Sequence, residues 1–149
     1  MVFSVSDAVT IATDAHDGQL DKSGKPYIGH PVRVMNRVSG EHERMAAVLH
    51  DVIEDTPVTA EDLRAAGCPE RVVEAVVALS HLPDEPQADY LARVAADPIA
   101  VVVKHADIAD NMSPARFAAL DEATQTRLRL KYDTALRLLD SYLTKDGRD

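Results

Sequence analysis

The chain has 149 residues, 46% of them hydrophobic, with a net charge of −9 at pH 7 and one cysteine. This length suffices for a core, so we expect one domain over residues 1–149, with a core at 4–143 and a frayed tail at 144–149. The acidic balance excludes a general binder of nucleic acid or membrane surfaces, and the single cysteine excludes an internal disulfide. Since neither a membrane-spanning run nor a signal peptide is recognisable, we expect a cytoplasmic protein.

Apolar residues recur mostly at three- and four-residue steps, which predicts helices. In chain order, the predicted helices run from Ser4 to about His16, from Pro31 to Gly40, from about Glu41 to Glu54, from Thr59 to Gly67, from Pro69 to about Leu79, from about Ala88 to Ala95, from Pro98 until Pro114 breaks the helix, and from about Asp121 to Tyr142. Residues 17–26 contain Gly18, Gly24 and Pro26, which predicts a turn or small hairpin. The expected fold is an all-α helical bundle with a small hairpin-like insertion near the N-terminus.

The segment 47–56, AVLHDVIEDT, carries the most chemical information. On a helix, His50 and Glu54 lie one turn apart, and so do Asp51 and Asp55. An imidazole and three carboxylates are then crowded at a helix end. These acids repel one another unless a cation lies among them or they face water, and both alternatives are open at this point.

Two further clusters carry groups that can bind a metal. Asp107 and Asn111 lie one helical turn apart, and His30 stands between Gly29 and Pro31. Imidazole and carboxylate ligands from separate helices suit a divalent transition ion such as Mn²⁺ or Fe²⁺. The alternative for the same residues is a buried cluster held by hydrogen bonds alone.

Four segments resemble, in the same order, the hydrolase motifs of HD-domain phosphohydrolases. They are AHDGQ at 15–19, KSGKPYIGHP at 22–31, LHDVIEDT at 49–56, and VKHAD at 103–107 with Asn111. The chain is most similar to small stand-alone relatives of the bifunctional alarmone synthetase/hydrolase proteins, from about Ser4 to Tyr142. The resemblance implies an all-α HD-domain bundle and metal-dependent hydrolysis of a small nucleotide. The leading expectation is a guanosine 3′,5′-bis(diphosphate) 3′-pyrophosphohydrolase.

The resemblance also implies a role for individual residues. The implied metal ligands, which would hold Mn²⁺, are His30, His50, Asp51 and Asp107. Glu54 and Asp55 would position or deprotonate the attacking water, and the implied nucleotide contacts are Lys22, Ser23, Asn111 and Tyr132. The expected partner is therefore a small-molecule nucleotide, with neither nucleic acid nor membrane, and the expected assembly is a monomer or small homo-oligomer.

Two positions depart from the alarmone-hydrolase pattern. Asp21 stands where that family commonly carries an arginine that stacks on guanine. Leu128 aligns with an arginine that contacts the far phosphates in animal relatives. An acid at the base site adds repulsion toward phosphate, so we expect weak, poorly base-selective hydrolysis that Asp21→Arg would improve. The alternatives are a general nucleotide or NADPH phosphatase of the same fold, and a non-catalytic nucleotide-sensing HD module.

Overall fold

The computed structural model describes residues 2–145. Within this range the chain forms ten helices: α1 (Val5–Ala15), α2 (Gly29–Met35), α3 (Glu41–Leu49), α4 (Val52–Asp55), α5 (Ala60–Ala65), α6 (Glu70–Leu79), α7 (Gln87–Ala95), α8 (Pro98–Asn111), α9 (Pro114–Ala118) and α10 (Glu122–Lys145). The same residues contain no strand, and only an isolated antiparallel bridge joins Leu20 to Pro26 in the predicted hairpin. The prediction of an all-α fold is confirmed.

Reciprocal side-chain caps explain why α1 and α5 begin where they do. The Ser4 hydroxyl accepts a hydrogen bond from the backbone N–H of Asp7, and the Asp7 carboxylate accepts one from the Ser4 N–H. Thr59 and Asp62 form the same reciprocal pair at the start of α5. Each pair satisfies two backbone donors that a helix N-terminus would otherwise leave without partners.

The predicted single helix over residues 41–54 is wrong, because α3 ends at Leu49 and α4 begins at Val52. The His50 ring supplies the physical reason. Its Nδ1 donates to the carbonyl oxygen of Ala47 at 2.6 Å, and this carbonyl would accept the Asp51 N–H in a continuous helix. His50 and Asp51 therefore form a junction between two helices.

Both ends of α2 and the segment after α8 also differ from the prediction. The second helix begins at Gly29, because Pro31 fits within a first turn, where no backbone N–H is needed. It ends at Met35, and Gly40 is the extended N-cap of α3, not the end of α2. Pro114 ends the α8 segment as predicted, but it also opens the short helix α9, which the sequence analysis missed.

The last helix continues through Lys145, three residues past the predicted end at Tyr142. The predicted tail at 144–149 therefore begins inside α10, and residues 146–149 lie outside the described part of the chain.

Helix α3 lies at the centre of the bundle, where it packs against α1, α2, α6 and α8. Residues 45–49 are all buried, so the central helix is enclosed up to its last turn. Helix α8 packs against α2 and α3, and α2 also packs against α3, so these three helices are mutual neighbours. None of the helices in residues 2–145 is both long and apolar enough to span a membrane.

Asp97 caps α8, and its loss tests how much that helix depends on its cap. The Asp97 Oδ1 accepts from the N–H groups of Ile99 and Ala100, each at 2.9 Å. We expect Asp97→Ala to lower the free energy of unfolding by about 0.5–2 kcal/mol in denaturant titrations. Ser113→Ala is the matched control, since Ser113 precedes α9 without a side-chain cap bond. Equal effects of the two substitutions would contradict the assignment.

Candidate metal centre and adjoining pocket

Three of the four predicted metal ligands converge in the interior. His30 comes from α2, His50 from the junction after α3, and Asp107 from α8, and each offers a ligand atom within 4.8 Å of the others. Asp107 Oδ1 lies 2.8 Å from His30 Nε2 and 3.3 Å from His50 Nε2. All three residues are buried.

The fourth predicted ligand, Asp51, lies beside this group. Its Oδ2 is 3.1 Å from His50 Nε2 and also accepts a hydrogen bond from the Tyr27 hydroxyl. Burial would raise the pKa of Asp51, but the charge of His50 lowers it below its ordinary value. The Asp51 carboxylate is therefore held as an anion at the edge of the cluster.

The cluster fits a divalent ion on two grounds. The ligand-atom separations of 2.8, 3.1 and 3.3 Å match adjacent ligands of an octahedral ion, which lie about 3 Å apart when each is about 2.1 Å from the metal. His50 donates through Nδ1 to a backbone carbonyl, and its buried Nε2 makes no well-formed hydrogen bond. An imidazole fixed in this way presents Nε2 to a metal.

The electrostatics of His50 point the same way. Burial would lower the pKa of His50, but the charges of Asp51 and Asp107 raise it well above its ordinary value. Without an ion, the carboxylates thus draw a proton onto the imidazole. The cluster demands a positive charge, which either a proton or a metal cation can supply.

The structure adds two contacts that the sequence analysis missed, although both residues lie inside the quoted motifs. Tyr27 holds Asp51 as described above, and its ring lies against those of His16 and His30. Lys104 Nζ lies 3.1 Å from Asp107 Oδ2, and this charge compensates the second oxygen of the ligand carboxylate. Burial would lower the pKa of Lys104, but Asp107 raises it above its ordinary value.

Asp110 was also missed, although it follows Asp107 by three residues on the same helix. Its Oδ2 lies 2.7 Å from His30 Nδ1, and it accepts hydrogen bonds from Arg33 and Arg116. Burial would raise the pKa of Asp110, but the hydrogen bonds from His30 and Arg33 hold it below its ordinary range. The spacing to Asp107 was the available signal, because residues three apart share a helical face.

A pocket of about 490 Å³ adjoins the cluster, and His30, His50, Asp51 and Asp107 form part of its lining. All the remaining predicted site residues line it as well: Glu54, Asp55, Lys22, Ser23, Asn111 and Tyr132. The Glu54 carboxylate accepts from the backbone N–H of His81 at 2.8 Å, which anchors one of its oxygens. The lining also holds further cations, namely Lys104, Arg116 and Lys131.

Asp21 plays a structural part that the sequence analysis did not foresee. Its Oδ1 accepts from the Ser23 N–H, the Ser23 hydroxyl and the Lys25 N–H at 2.8–3.0 Å. These bonds close the hairpin between Leu20 and Pro26. Asp21→Arg would remove these three bonds together with the negative charge, so its effect on activity would report the hairpin geometry as well as the charge.

Comparison with known proteins identifies the family. A family model described as "HD domain" matches residues 8–133, which is most of the chain, so the chain belongs to the HD-domain family. The predicted HD domain is thereby confirmed, and the relatives described next confirm the predicted resemblance to alarmone hydrolases.

Two curated relatives carry the relationship further. A guanosine-3′,5′-bis(diphosphate) 3′-pyrophosphohydrolase of Haemophilus influenzae is 57% identical over 58 residues, which are 36% of this chain and 9% of that protein. A probable enzyme of the same name from Synechocystis sp. is 39% identical over 119 residues, 70% of this chain and 16% of that protein. The chain thus spans less than a fifth of the length of either relative.

A solved structure supports the fold. It belongs to a metazoan ortholog of SpoT, described as hydrolysing ppGpp, and matches with a TM-score of 0.63 at 23% sequence identity. The match covers 97% of this chain and 96% of that one, so the helical architecture is shared almost from end to end.

Asp55 gives a pH test of the pocket electrostatics. Burial and the charges of Asp51 and Glu54 raise the pKa of Asp55 from 3.8 to about 6. Folding therefore opposes ionisation of Asp55, and this cost is fully present above pH 6 and absent below pH 4. We expect Asp55→Asn to raise the unfolding midpoint of the metal-free protein near neutral pH but not at pH 3.5.

The exposed Asp133→Asn on α10 serves as the control for the loss of a surface charge. A stabilisation by Asp55→Asn that is the same at both pH values, or equal to that of the control, would contradict the raised pKa of Asp55.

Proposed function

We propose that the chain is a metal-dependent phosphohydrolase of a small nucleotide, and that it removes the 3′-pyrophosphate of guanosine 3′,5′-bis(diphosphate). The observation that carries this proposal is the buried His30, His50 and Asp107 cluster, which opens onto a pocket also lined by Glu54 and Asp55. The names of the two curated relatives support the choice of substrate.

His30, His50, Asp51 and Asp107 are the proposed ligands, and Mn²⁺ is the proposed ion, with Fe²⁺ as its alternative. When bound, such an ion polarises phosphoryl oxygens and lowers the pKa of water. The protein's own contribution is to fix these ligands before the ion arrives. Ala47 holds His50 through Nδ1, and Tyr27 holds Asp51 through its hydroxyl.

Glu54 and Asp55 are the proposed catalytic acids. Glu54 is fixed by its bond to the His81 N–H, which suits a group that positions the attacking water. Asp55 lines the same pocket, and in the metal-free protein burial first and then the charges of Asp51 and Glu54 raise its pKa to about 6, which favours a group that accepts a proton. We assign the positioning role to Glu54 and the general-base role to Asp55.

Lys22, Ser23, Asn111 and Tyr132 are the proposed nucleotide contacts. Asn111 is preoriented, because its amide nitrogen lies 3.3 Å from Asp107 Oδ1 and its oxygen accepts from Arg116 at 2.9 Å. The cations that line the pocket provide local attraction for a polyanion, although the whole chain carries −9.

One observation favours a second candidate, a general nucleotide or NADPH phosphatase. Leu128 lines the pocket and is buried, so it supplies no cation for distal phosphates at the position where animal relatives carry arginine. A nucleotide-sensing module without turnover is the remaining alternative. A cytoplasmic location and a monomer or small homo-oligomer stay predictions from the sequence.

The substrate assay compares guanosine 3′,5′-bis(diphosphate), its adenosine analogue, NADPH and simple mononucleotides in the presence of Mn²⁺. We expect the guanosine compound to be cleaved with release of pyrophosphate, identified by mass spectrometry, and the activity to disappear on chelation. Preferential release of orthophosphate from NADPH or mononucleotides would favour the second candidate. Tight binding without any product would favour the sensing module.

Paired substitutions separate the ligands from the catalytic acids. We expect Asp51→Ala to lose the metal, because the remaining ligands lack one anionic partner. Asp55→Asn should retain the metal and lower kcat by about 10²–10⁴-fold, the usual contribution of a general base. Glu54→Gln should also retain the metal, since the Gln oxygen can still accept from the His81 N–H.

Metal content by mass spectrometry and turnover by product release are measured on the same preparations. Full metal content in Asp51→Ala would overturn the ligand assignment. A loss of turnover below tenfold in Asp55→Asn would move the base role to Glu54.

A further inference from the structure

Asp110 combines a buried carboxylate with a predicted ligand histidine. Its side chain is 1% exposed, and its Oδ2 lies 2.7 Å from Nδ1 of His30, whose side chain is 3% exposed. The other ring nitrogen of His30, Nε2, lies 2.8 Å from Asp107 Oδ1. One imidazole therefore lies between two carboxylates of α8. The position of its proton decides to which carboxylate the ring donates a hydrogen bond.

Two arrangements of the proton are possible on this ring. If Nδ1 carries it, the ring donates to Asp110, and Nε2 offers its lone pair next to Asp107. If only Nε2 carries it, the ring donates to Asp107, and Nδ1 accepts from Arg116, whose Nη1 lies 2.7 Å away. Only the first arrangement allows His30 Nε2 to bind an ion together with Asp107.

The contacts together with the proposed ion favour the first arrangement. In the second, the Nδ1 lone pair would face an anionic oxygen of Asp110 at 2.7 Å in a buried setting, with no ion to relieve the repulsion. In the first, the Nε2 lone pair faces Asp107 Oδ1 at 2.8 Å, and a divalent ion held by these two atoms would relieve that repulsion. Arg116 does not need Nδ1, because it donates to Asp110 at 3.1 Å and to Asn111 at 2.9 Å. The Asp110 carboxylate is thus the better partner, because the Nδ1–H of His30 can donate to this charged acceptor.

The ion pairs with arginines do not by themselves explain why the Asp110 carboxylate is buried. Arg33 and Arg37 face the same carboxylate, but their side chains are 45% and 41% exposed, so water can solvate them without Asp110. His30 has no such alternative, because it is enclosed. The arginines keep Asp110 ionised, and His30 is the partner that depends on it.

We propose that Asp110 is a positioning residue that keeps a proton on His30 Nδ1 and so turns Nε2 toward the divalent ion. This inference rests on the proposed metal site. Without Asp110, the ring can donate to Asp107 through Nε2, and the ion must then displace that proton. Partners of this kind typically contribute 10–100-fold in metal affinity.

The test measures Mn²⁺ affinity by calorimetry and the His30 proton by ¹H–¹⁵N NMR of the metal-free full chain, with His30→Gln for assignment. We expect wild type to show a proton on Nδ1. Asp110→Ala should lose it and bind Mn²⁺ about 100-fold more weakly, and Asp110→Asn, which keeps an acceptor, about tenfold more weakly. Arg33→Gln is the matched control, because it breaks an ion pair of Asp110 without touching His30. It should bind Mn²⁺ as wild type does.

The outcomes separate this role from the proposed function. Wild type without a proton on Nδ1, or Asp110 variants with wild-type affinity, would overturn the role of Asp110 alone. An equal loss of affinity in Arg33→Gln would do the same, since it would reduce Asp110 to an ion-pair partner. If wild type binds no Mn²⁺, both the proposed metal site and the role of Asp110 are refuted. If Asp110→Ala does not fold, Asp110→Asn and the wild-type spectrum decide.

Discussion

The interior of this protein is organised around one buried carboxylate, that of Asp107. One of its oxygens faces both His30 and His50, and the other faces Lys104. Burial would raise the pKa of Asp107, but the Lys104 charge and the two imidazoles lower it well below its ordinary value. A buried anion of this kind is tolerated only while its partners are in place. The positions of α2, α3 and α8 are therefore coupled through a polar contact as well as through apolar packing.

The break between α3 and α4 is the second constraint on the site. Successive residues of a continuous helix point about 100° apart, so His50 and Asp51 would diverge. At the junction, Asp51 Oδ2 instead lies 3.1 Å from His50 Nε2. The His50 ring helps to create this junction by occupying the Ala47 carbonyl, so one side chain both interrupts the helix and enters the cluster.

The charges along the pocket lining differ from the net negative charge of the chain. Acids gather at the cluster of His30, His50 and Asp107 and on α4, whereas several cations lie along the same lining. Burial first, and then the charges of Lys104 and Lys22, lower the pKa of Lys131. These cations therefore lie close enough to repel one another. A phosphorylated ligand would relieve this repulsion among cations, and a divalent ion would relieve that among the acids. Both kinds of repulsion lie within one cavity, which agrees with the proposed phosphohydrolase activity.

The sequence by itself determined the helical fold and the starts of α1 and α5, because periodicity and capping pairs act over a few residues. The resemblance of its motifs to a known family supplied part of the pocket lining, including the four proposed ligands, but not Tyr27 or Lys104. The sequence did not determine the break at His50, because the apolar pattern continues across it and the interruption depends on where the imidazole turns. Nor did it reveal the contact between Asp110 and His30 or the hydrogen bonds that Asp21 makes within the hairpin. The partner of Asp110, His30, is 80 residues away in the chain, and only the packing of α2 against α8 brings the two side chains together.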